Sequence, residues 1–571
     1  MDCEKSCKKL TLGERVFGRI GGWFDSPALL LTAFVLVTSA LYLPLIFWDT
    51  LPGRDVAHRF VPMVDAFVRG DFMYAFHPRC QTLHAAVAGV IALSGCGSYM
   101  ACKLSSFLFY LLTVVPLFFC CRRVFGGRVA KWVVWGFAFA SPLISSLAVI
   151  GLRDAAKMFV LVMMSHALIA IRQERHKIGY YIYAGIAAGM AVCVRNDLLA
   201  VTLVILFISG LLDRAEHRFV WRSLLGALAA FAVGMVELYT NYAVSGYVIP
   251  GARYYYIFTN WLKIQPEWLP VLGMVVLPMF VGGIAGVYIV NKIWSWRVGK
   301  WFIALLCAAA AVGLIVRVIL LAEADTDMAA DFFNAIMSGV SWVFFPLAVI
   351  GAGLRIIKKQ WTKEETLLAI LFGVFELAVI VQIIVYYKYL YVSGRYLLSA
   401  VPLLLPWSWC ALEQLWEYTA RFLHLPWPKK LFGVLVAVFI GLGIYCAYRP
   451  ELNEHIRPRE IRNKEAIMAI GEVIKNEKSS FDAPTFEMML YKANVRPRVY
   501  FDCSGRLSVA VYPGNASQAV RASEMDLLVT SANATERTLK RKFKNVKRFE
   551  KRGGVIVFRK EKLQVWKVFR K

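Results

Sequence analysis

Two aspartates in this chain stand where a carboxylate can do more than hydrate a surface. Asp55, in Gly53-Arg54-Asp55, follows directly on an apolar run from Pro27 to Trp48. A carboxylate at that water boundary is partly desolvated, which raises its pKa toward that of a general base able to take the proton of an acceptor hydroxyl. Asp is equally favoured as a helix N-cap, and the position fits that role too. Asp154, in Gly151-Leu152-Arg153-Asp154, lies in a very short turn between two long apolar runs. It can line a cleft, or it can form a local ion pair with Arg153 and cap the helix that follows.

Cations accumulate around the same positions. Arg195 and Asp197 repeat the Arg-Asp pattern one hairpin after Arg153, Arg395 precedes Tyr396 at the end of another apolar run, and Arg317 falls in the outer part of its own. A planar guanidinium grips phosphate in bidentate fashion. Single arginines at helix ends also serve as snorkelling anchors, so the convergence of several carries the argument. His58, Arg59 and His77 border the segment after Asp55 and are candidates to position an acceptor or substrate. No spacing supports a metal role for either histidine. Glu323, Asp325 and Asp327, with Asp331, form an acidic loop whose oxygens could take a divalent cation, although the spacing is not that of a calcium loop and no cofactor is expected. Glu237 and Glu376 sit inside apolar runs, where a carboxylate faces a cavity or hydrogen-bonds a neighbouring helix.

The elements that must hold these residues follow from composition. Apolar residues make up 59% of the 571 residues and charged ones 18%, gathered in short clusters between apolar runs of roughly 17 to 25 residues, the length that crosses a bilayer. Such a chain is a membrane protein, mainly α, and about thirteen spans are expected. The formal net charge of +27 alternates with the spans rather than forming one stripe, so no nucleic-acid partner is expected. Every second connection is basic, including Arg122/Arg123/Arg128/Lys131, Arg172/Arg175/Lys177 and Arg355/Lys358/Lys359/Lys363, and these are expected on the cytoplasmic side.

That alternation gives a cytoplasmic N-terminal arm over residues 1–26, retained as a signal anchor, and a membrane domain over 27–448. The first outward loop is long, 49–103, and a small extracytoplasmic α/β domain follows over 449–571. Within the loop, Val56, Phe60, Met63, Val64 and Phe67 recur at helical spacing and predict an interfacial amphipathic helix. Leu83 to Leu93 is too short to cross and predicts a second helix near the surface. In the last domain a helix is expected from Arg459 to Lys478, strands at Arg498 to Phe501 and Asp526 to Thr530, and a hairpin over Val546 to Arg559 turning at Gly553-Gly554. The 12 cysteines read mostly as packing residues; pairing among Cys80, Cys96 and Cys102 stays open.

Several short motifs in order resemble the C-type glycosyltransferase superfamily, in particular the branch of protein O-mannosyltransferases and lipid A aminoarabinose transferases. They are Asp55 after the first span, Gly70-Asp71-Phe72 after the first interfacial helix, Arg123-Val124-Phe125-Gly126, Asp154 in the second outward loop, and Tyr391 to Pro402. The chain departs from the branch in having Asp55-Val56 where many relatives carry Asp-Glu, and His77-Pro78-Arg79 where the aminoarabinose branch has Lys-Pro-Pro. The resemblance implies a polyprenyl-phosphate sugar donor, a glycan, lipid or protein acceptor, and direct displacement at the anomeric carbon in the inner membrane with the site on the periplasmic face. Asp55 and Asp154 would be catalytic, with Asp55 as base, and Arg153, Arg195, Arg395 and Tyr396 would hold the donor phosphate. A transporter or flippase of lipid-linked saccharides shares the spans and outward arginines, but the charges cluster at helix ends and no two-half symmetry is visible. A non-catalytic envelope scaffold is the third reading.

Overall fold

The computed structural model describes residues 26–47, 60–76, 82–139, 147–195, 198–215, 220–245, 344–386 and 396–422, with residues 56, 438 and 441 and the five strands named below. The described residues form a helical bundle and one β-sheet. Among the described residues, three helices are long and apolar enough to cross a membrane: α1 (Pro27–Phe47), α5 (Ser98–Phe125) and α7 (Asp154–Gln173). The thirteen expected spans fall partly on residues outside the described ones.

Helix α1 opens with Pro27, whose missing N–H costs nothing at a first helical position. Its buried residues Leu30, Phe34, Thr38, Tyr42 and Leu45 recur at three- and four-residue steps and form one stripe, while Leu36 and Phe47 are exposed. The stripe packs on α5 and α6 (Gly127–Phe139), and the Tyr42 hydroxyl donates to the Ala138 carbonyl at 2.8 Å. Helix α7 is the centre of the bundle. Residues on all of its faces are buried, and it contacts α5, α8 (Ile178–Val194), α12 (Lys363–Tyr386) and the 3-10 segment Leu398–Leu404. That segment contains Pro402, which cannot donate to an α-helical ladder, and it leads into α13 (Leu405–Phe422). Helices α9 (Leu198–Arg214) and α11 (Phe344–Ile357) complete the packing around them.

Helix α8 runs against α10 (Trp221–Ser245) at backbone contact. A Cβ added at Gly185 would stand 1.9 Å from the Gly226 carbonyl oxygen, and one at Gly189 would stand 2.6 Å from that of Ala230. Small residues four apart let two helices approach in this way where no hydrophobic force draws them together.

The segment after α1 forms a second, smaller core. The expected amphipathic helix is α2 (Val61–Val68), followed by α3 (Phe72–Ala75) and the 11-residue α4 (Thr82–Ala92), about 16 Å long and too short to span. Val56, Phe60, Met63 and Val64 are buried against Ala85, Ala88 and Cys102 of α4 and α5, so the face read as interfacial packs on protein. Gly70 at φ +77 ends α2: Gly70 N–H donates to Phe67 O and Asp71 N–H to Ala66 O, which satisfies two terminal carbonyls. Helix α5 begins at Ser98, within the segment 49–103 expected as the first outward loop, and takes Lys103 inside it. Lys103 tolerates burial by donating to the Ile46 carbonyl at 3.2 Å and lying over the Tyr99 ring. Cys96 and Cys102 are free thiols; Cys80 lies outside the described residues.

Near the C-terminus, β1 (Arg498–Phe501), β2 (Ser508–Tyr512), β3 (Leu527–Ser531), β4 (Gly554–Lys560) and β5 (Leu563–Val568) form a sheet in the order β1-β2-β3-β5-β4. Only β2 and β3 are parallel neighbours. The hairpin closes with Lys560 opposite Leu563, not at Gly553-Gly554, where Gly554 instead starts the pairing opposite Val568. The helix expected over 459–478 lies outside the described residues.

Candidate functional site

The turn Gly151-Leu152-Arg153 delivers Asp154 to the first turn of α7, where a carboxylate also meets the positive end of the helix dipole. Gly151 takes φ +81 and its Cα lies against α5: a Cβ there would meet Cys102 Cβ and Lys103 N at 3.3 Å. Two side chains hold the turn from outside it. Ser106 Oγ donates to Leu152 O at 2.7 Å, and His84 Nε2 lies 3.2 Å from Gly151 O. A carbonyl oxygen only accepts, so Nε2 carries the proton and Nδ1 accepts from Ser105 Oγ at 3.2 Å. Burial, the largest cause, pushes the His84 pKa down to about 4, with the Arg153 charge lowering it further, while the Gly151 hydrogen bond and Asp154 oppose the shift. His84 is therefore neutral at physiological pH.

Asp154 pairs with Arg195 across the α7–α8 hairpin. Arg195 ends α8 on the same side of the α7–α8 hairpin, and its Nη1 stands 3.2 Å from Asp154 Oδ1, with the two side chains 5% and 3% exposed. The guanidinium also lies over the Tyr396 ring, 4.9 Å from its centroid. One turn into α7, Lys157 is 1% exposed and donates to the Tyr396 carbonyl at 3.0 Å. Four polar groups from α7, the end of α8 and the start of the 3-10 segment thus share one buried locus. Glu376 of α12 is buried as well, with Lys157 as the charge acting on it, and its carboxylate oxygens have no hydrogen-bond partner among the described residues. Two lysine and arginine cations with an aromatic platform can receive an anion, and the buried surroundings strengthen each such interaction.

Three of the residues singled out in the sequence, Asp154, Arg195 and Tyr396, are brought together, and Arg153 is half-buried immediately before them. Asp55, His58, Arg59, His77 and Arg395 lie outside the described residues, as do Asp197, Arg317, Glu323, Asp325 and Asp327. No group of three or more metal-ligating side chains occurs among the described residues. Glu237 accepts from the Thr82 N–H at 2.9 Å and its hydroxyl at 2.7 Å, which binds α10 to the first residue of α4. Of the residues the sequence reading passed over, Lys157 had a signal: an ammonium in an apolar run, three positions after Asp154 and so on the same helix face. His84 had none, since its partners become neighbours only through the fold.

No family model matches this sequence, and no curated protein matches it. The structure is similar to that of the oligosaccharyltransferase AglB from the archaeon Archaeoglobus fulgidus in complex with an inhibitory peptide and a dolichol-phosphate, with a TM-score of 0.49 and 13% identity over 81% of this chain. The chain spans 61% of that protein's length. It is also similar to ArnT from Cupriavidus metallidurans, apo (TM-score 0.45, 14% identity) and bound to undecaprenyl phosphate (TM-score 0.46, 13% identity), covering 94% and 95% of this chain and 98% of the other in each case. Both neighbours are C-type glycosyltransferases.

Proposed function

We propose that this chain is a membrane glycosyltransferase that takes a sugar from a polyprenyl-phosphate carrier and transfers it to an extracytoplasmic glycolipid, polysaccharide or protein. The observation that carries this reading is the buried meeting of Asp154, Arg195, Lys157 and Tyr396 at one end of the bundle. Cations held in place beforehand favour the state in which negative charge grows, and a departing lipid phosphate is such a state.

In this mechanism the acceptor hydroxyl attacks the anomeric carbon and the bond from that carbon to the phosphate oxygen breaks. The electron pair leaves with the lipid phosphate, and the acceptor proton passes to Asp55. Arg195 meets the phosphate together with Arg153 and Arg395. Asp154 orients the Arg195 guanidinium, and the Tyr396 ring supports its flat face. His58, Arg59 and His77 position the acceptor. The site faces the periplasm of an inner-membrane protein, where lipid-linked donors are available, and the residues over 449–571 form an α/β domain on the same side.

The test is a vesicle assay with radiolabelled polyprenyl-phosphate sugars, comparing the parent with Asp55→Asn at equal expression. Transfer by the parent and none by Asp55→Asn is the expected result. Undiminished transfer by the variant removes Asp55 as base. Labelled lipid crossing the bilayer with no transfer from any donor replaces the enzyme with a flippase.

A further inference from the structure

Glu376 is a buried carboxylate that the proposed mechanism leaves unused. Leu368, Leu371, Phe375 and Val379 recur at three- and four-residue steps and form a buried face of α12, which packs on α7, α9 and the 3-10 segment. Glu376 lies within the same turns, is 7% exposed, and neither of its carboxylate oxygens has a hydrogen-bond partner in the protein. Taking a carboxylate out of water costs free energy that a fold ordinarily recovers through hydrogen bonds, as at Glu365 on the same helix, which accepts from Arg355 at 2.7 Å. Glu376 recovers none from the fold, so both of its oxygens are open to a ligand.

Its height in the bundle follows from two pairs. Arg172 in the last turn of α7 meets Glu364 in the first turn of α12 at 3.1 Å, and Lys157 near the start of α7 is the charge that acts on Glu376, so the two helices run antiparallel. At about 1.5 Å per residue, Lys157 stands about 22 Å along α7 from the Arg172 level and Glu376 about 18 Å along α12 from Glu364. The carboxylate is therefore within about 4 Å of the height of Lys157, close to the buried meeting of Arg195, Asp154 and Tyr396.

The charges there narrow what can meet Glu376. An anion is repelled by the carboxylate itself, and a metal cation by Lys157 and Arg195. A neutral group rich in hydroxyls and joined to a phosphate satisfies both sides, since its hydroxyls donate to Glu376 while the phosphate meets the cations. Such hydroxyls also accept, so they pair with this carboxyl whether or not it carries a proton.

We propose that Glu376 binds hydroxyls of the donor sugar, next to the phosphate held at Arg195, and so selects sugar-bearing carriers over the bare lipid phosphate; this rests on the glycosyl transfer proposed above. Transfer of the sugar removes the contact, which favours release of the spent carrier.

Equilibrium binding to the full chain in nanodiscs, with undecaprenyl phosphate bare or carrying glucose, mannose, galactose or arabinose, tests this. The parent should bind at least one sugar-bearing lipid about tenfold or more tighter than the bare one, the worth of a hydrogen bond to a charged group. Glu376→Leu should lose that preference and keep the parental affinity for the bare lipid, whereas a purely structural role would move both affinities together. Should Glu376→Leu fail to fold, Glu376→Gln, which keeps the shape, must still lose about threefold of the preference. A preference intact in the variants, or none in the parent, overturns the proposal. Vesicle transfer separates it from the reaction. Transfer by the parent with the preference unchanged in Glu376→Leu keeps the enzyme and removes Glu376; a preference lost in Glu376→Leu, without transfer by the parent from any donor, keeps the sugar site and removes the enzyme.

Discussion

At one end of the bundle Arg123 meets Glu174 with side chains 23% and 24% exposed; at the other, Arg195 meets Asp154 with side chains 5% and 3% exposed. The first pair belongs to a network across the basic connections. Arg123 donates to Glu174, Gln173 and the Tyr180 hydroxyl, Lys177 joins Glu174, and Arg172 reaches Glu364 at 3.1 Å. Water screens these charges, and a partner lost there is replaced by solvent. At the other end nothing replaces a lost partner. The contrast separates two uses of the same chemistry: one end staples connections together, and the other holds charges out of water, which is useful when an anion must be received without reorganisation.

The largest effect expected from breaking this contrast is at Arg195. Arg195→Met removes the buried cation that pairs with the Asp154 carboxylate and should lower stability by about 3–5 kcal/mol, read as a drop in unfolding temperature in detergent. Adding Asp154→Asn should restore part of that loss. A drop equal to that of a half-exposed pair would show that water reaches the buried locus.

A smaller effect is expected at His84, which braces the same turn. Its folded pKa of about 4 lies below the unfolded value near 6.5, so between these values the unfolded chain binds a proton that the folded chain does not. Stability is complete above about pH 6.5 and falls by up to about 3 kcal/mol as the pH drops toward 4. Unfolding followed across that window should show the slope in the parent and lose most of it in His84→Gln. Identical slopes would mean that the imidazole is hydrated in the folded state.

The smallest effect belongs to Glu174. The hydrogen bonds from Lys177, then Arg123, hold its carboxyl down to about 2, so what the group contributes is present above about pH 4.5 and lost as the pH falls through 2. Glu174→Gln should lower the unfolding temperature slightly in dilute buffer and not measurably in high salt. A salt-independent loss would place this network among the structural supports of the fold.

The sequence makes the site's members visible but not their pairing. Asp154, Arg195 and Tyr396 stand out because each ends an apolar run, where a charge or phenol is conspicuous. Arg153 is the nearest cation in sequence to Asp154, yet consecutive residues on a helix do not face one another, and the partner is Arg195 across the hairpin. Glu237 is visible as a carboxylate in an apolar run; its role at the start of α4 depends on Thr82, 155 positions away. The α2 periodicity is correct, but periodicity does not say whether an apolar face meets lipid or protein, and here it meets α4 and α5. In the sheet, Gly553-Gly554 carries the stronger turn signal, while the register places the turn between Lys560 and Leu563. The run Ser508–Tyr512, β2, carries strand-forming Val and Tyr and lies outside the strands expected from the sequence.

The central claim is that the buried end, and not the half-exposed one, receives the donor. Transfer rates of Arg195→Lys and Arg123→Lys, measured side by side in vesicles at equal folded amounts, test it most directly. Both variants keep a positive charge, but lysine lacks the planar fork that meets phosphate and stacks on Tyr396. The account predicts a loss of about 100-fold or more for Arg195→Lys and a parental rate for Arg123→Lys; equal rates for the two would contradict it.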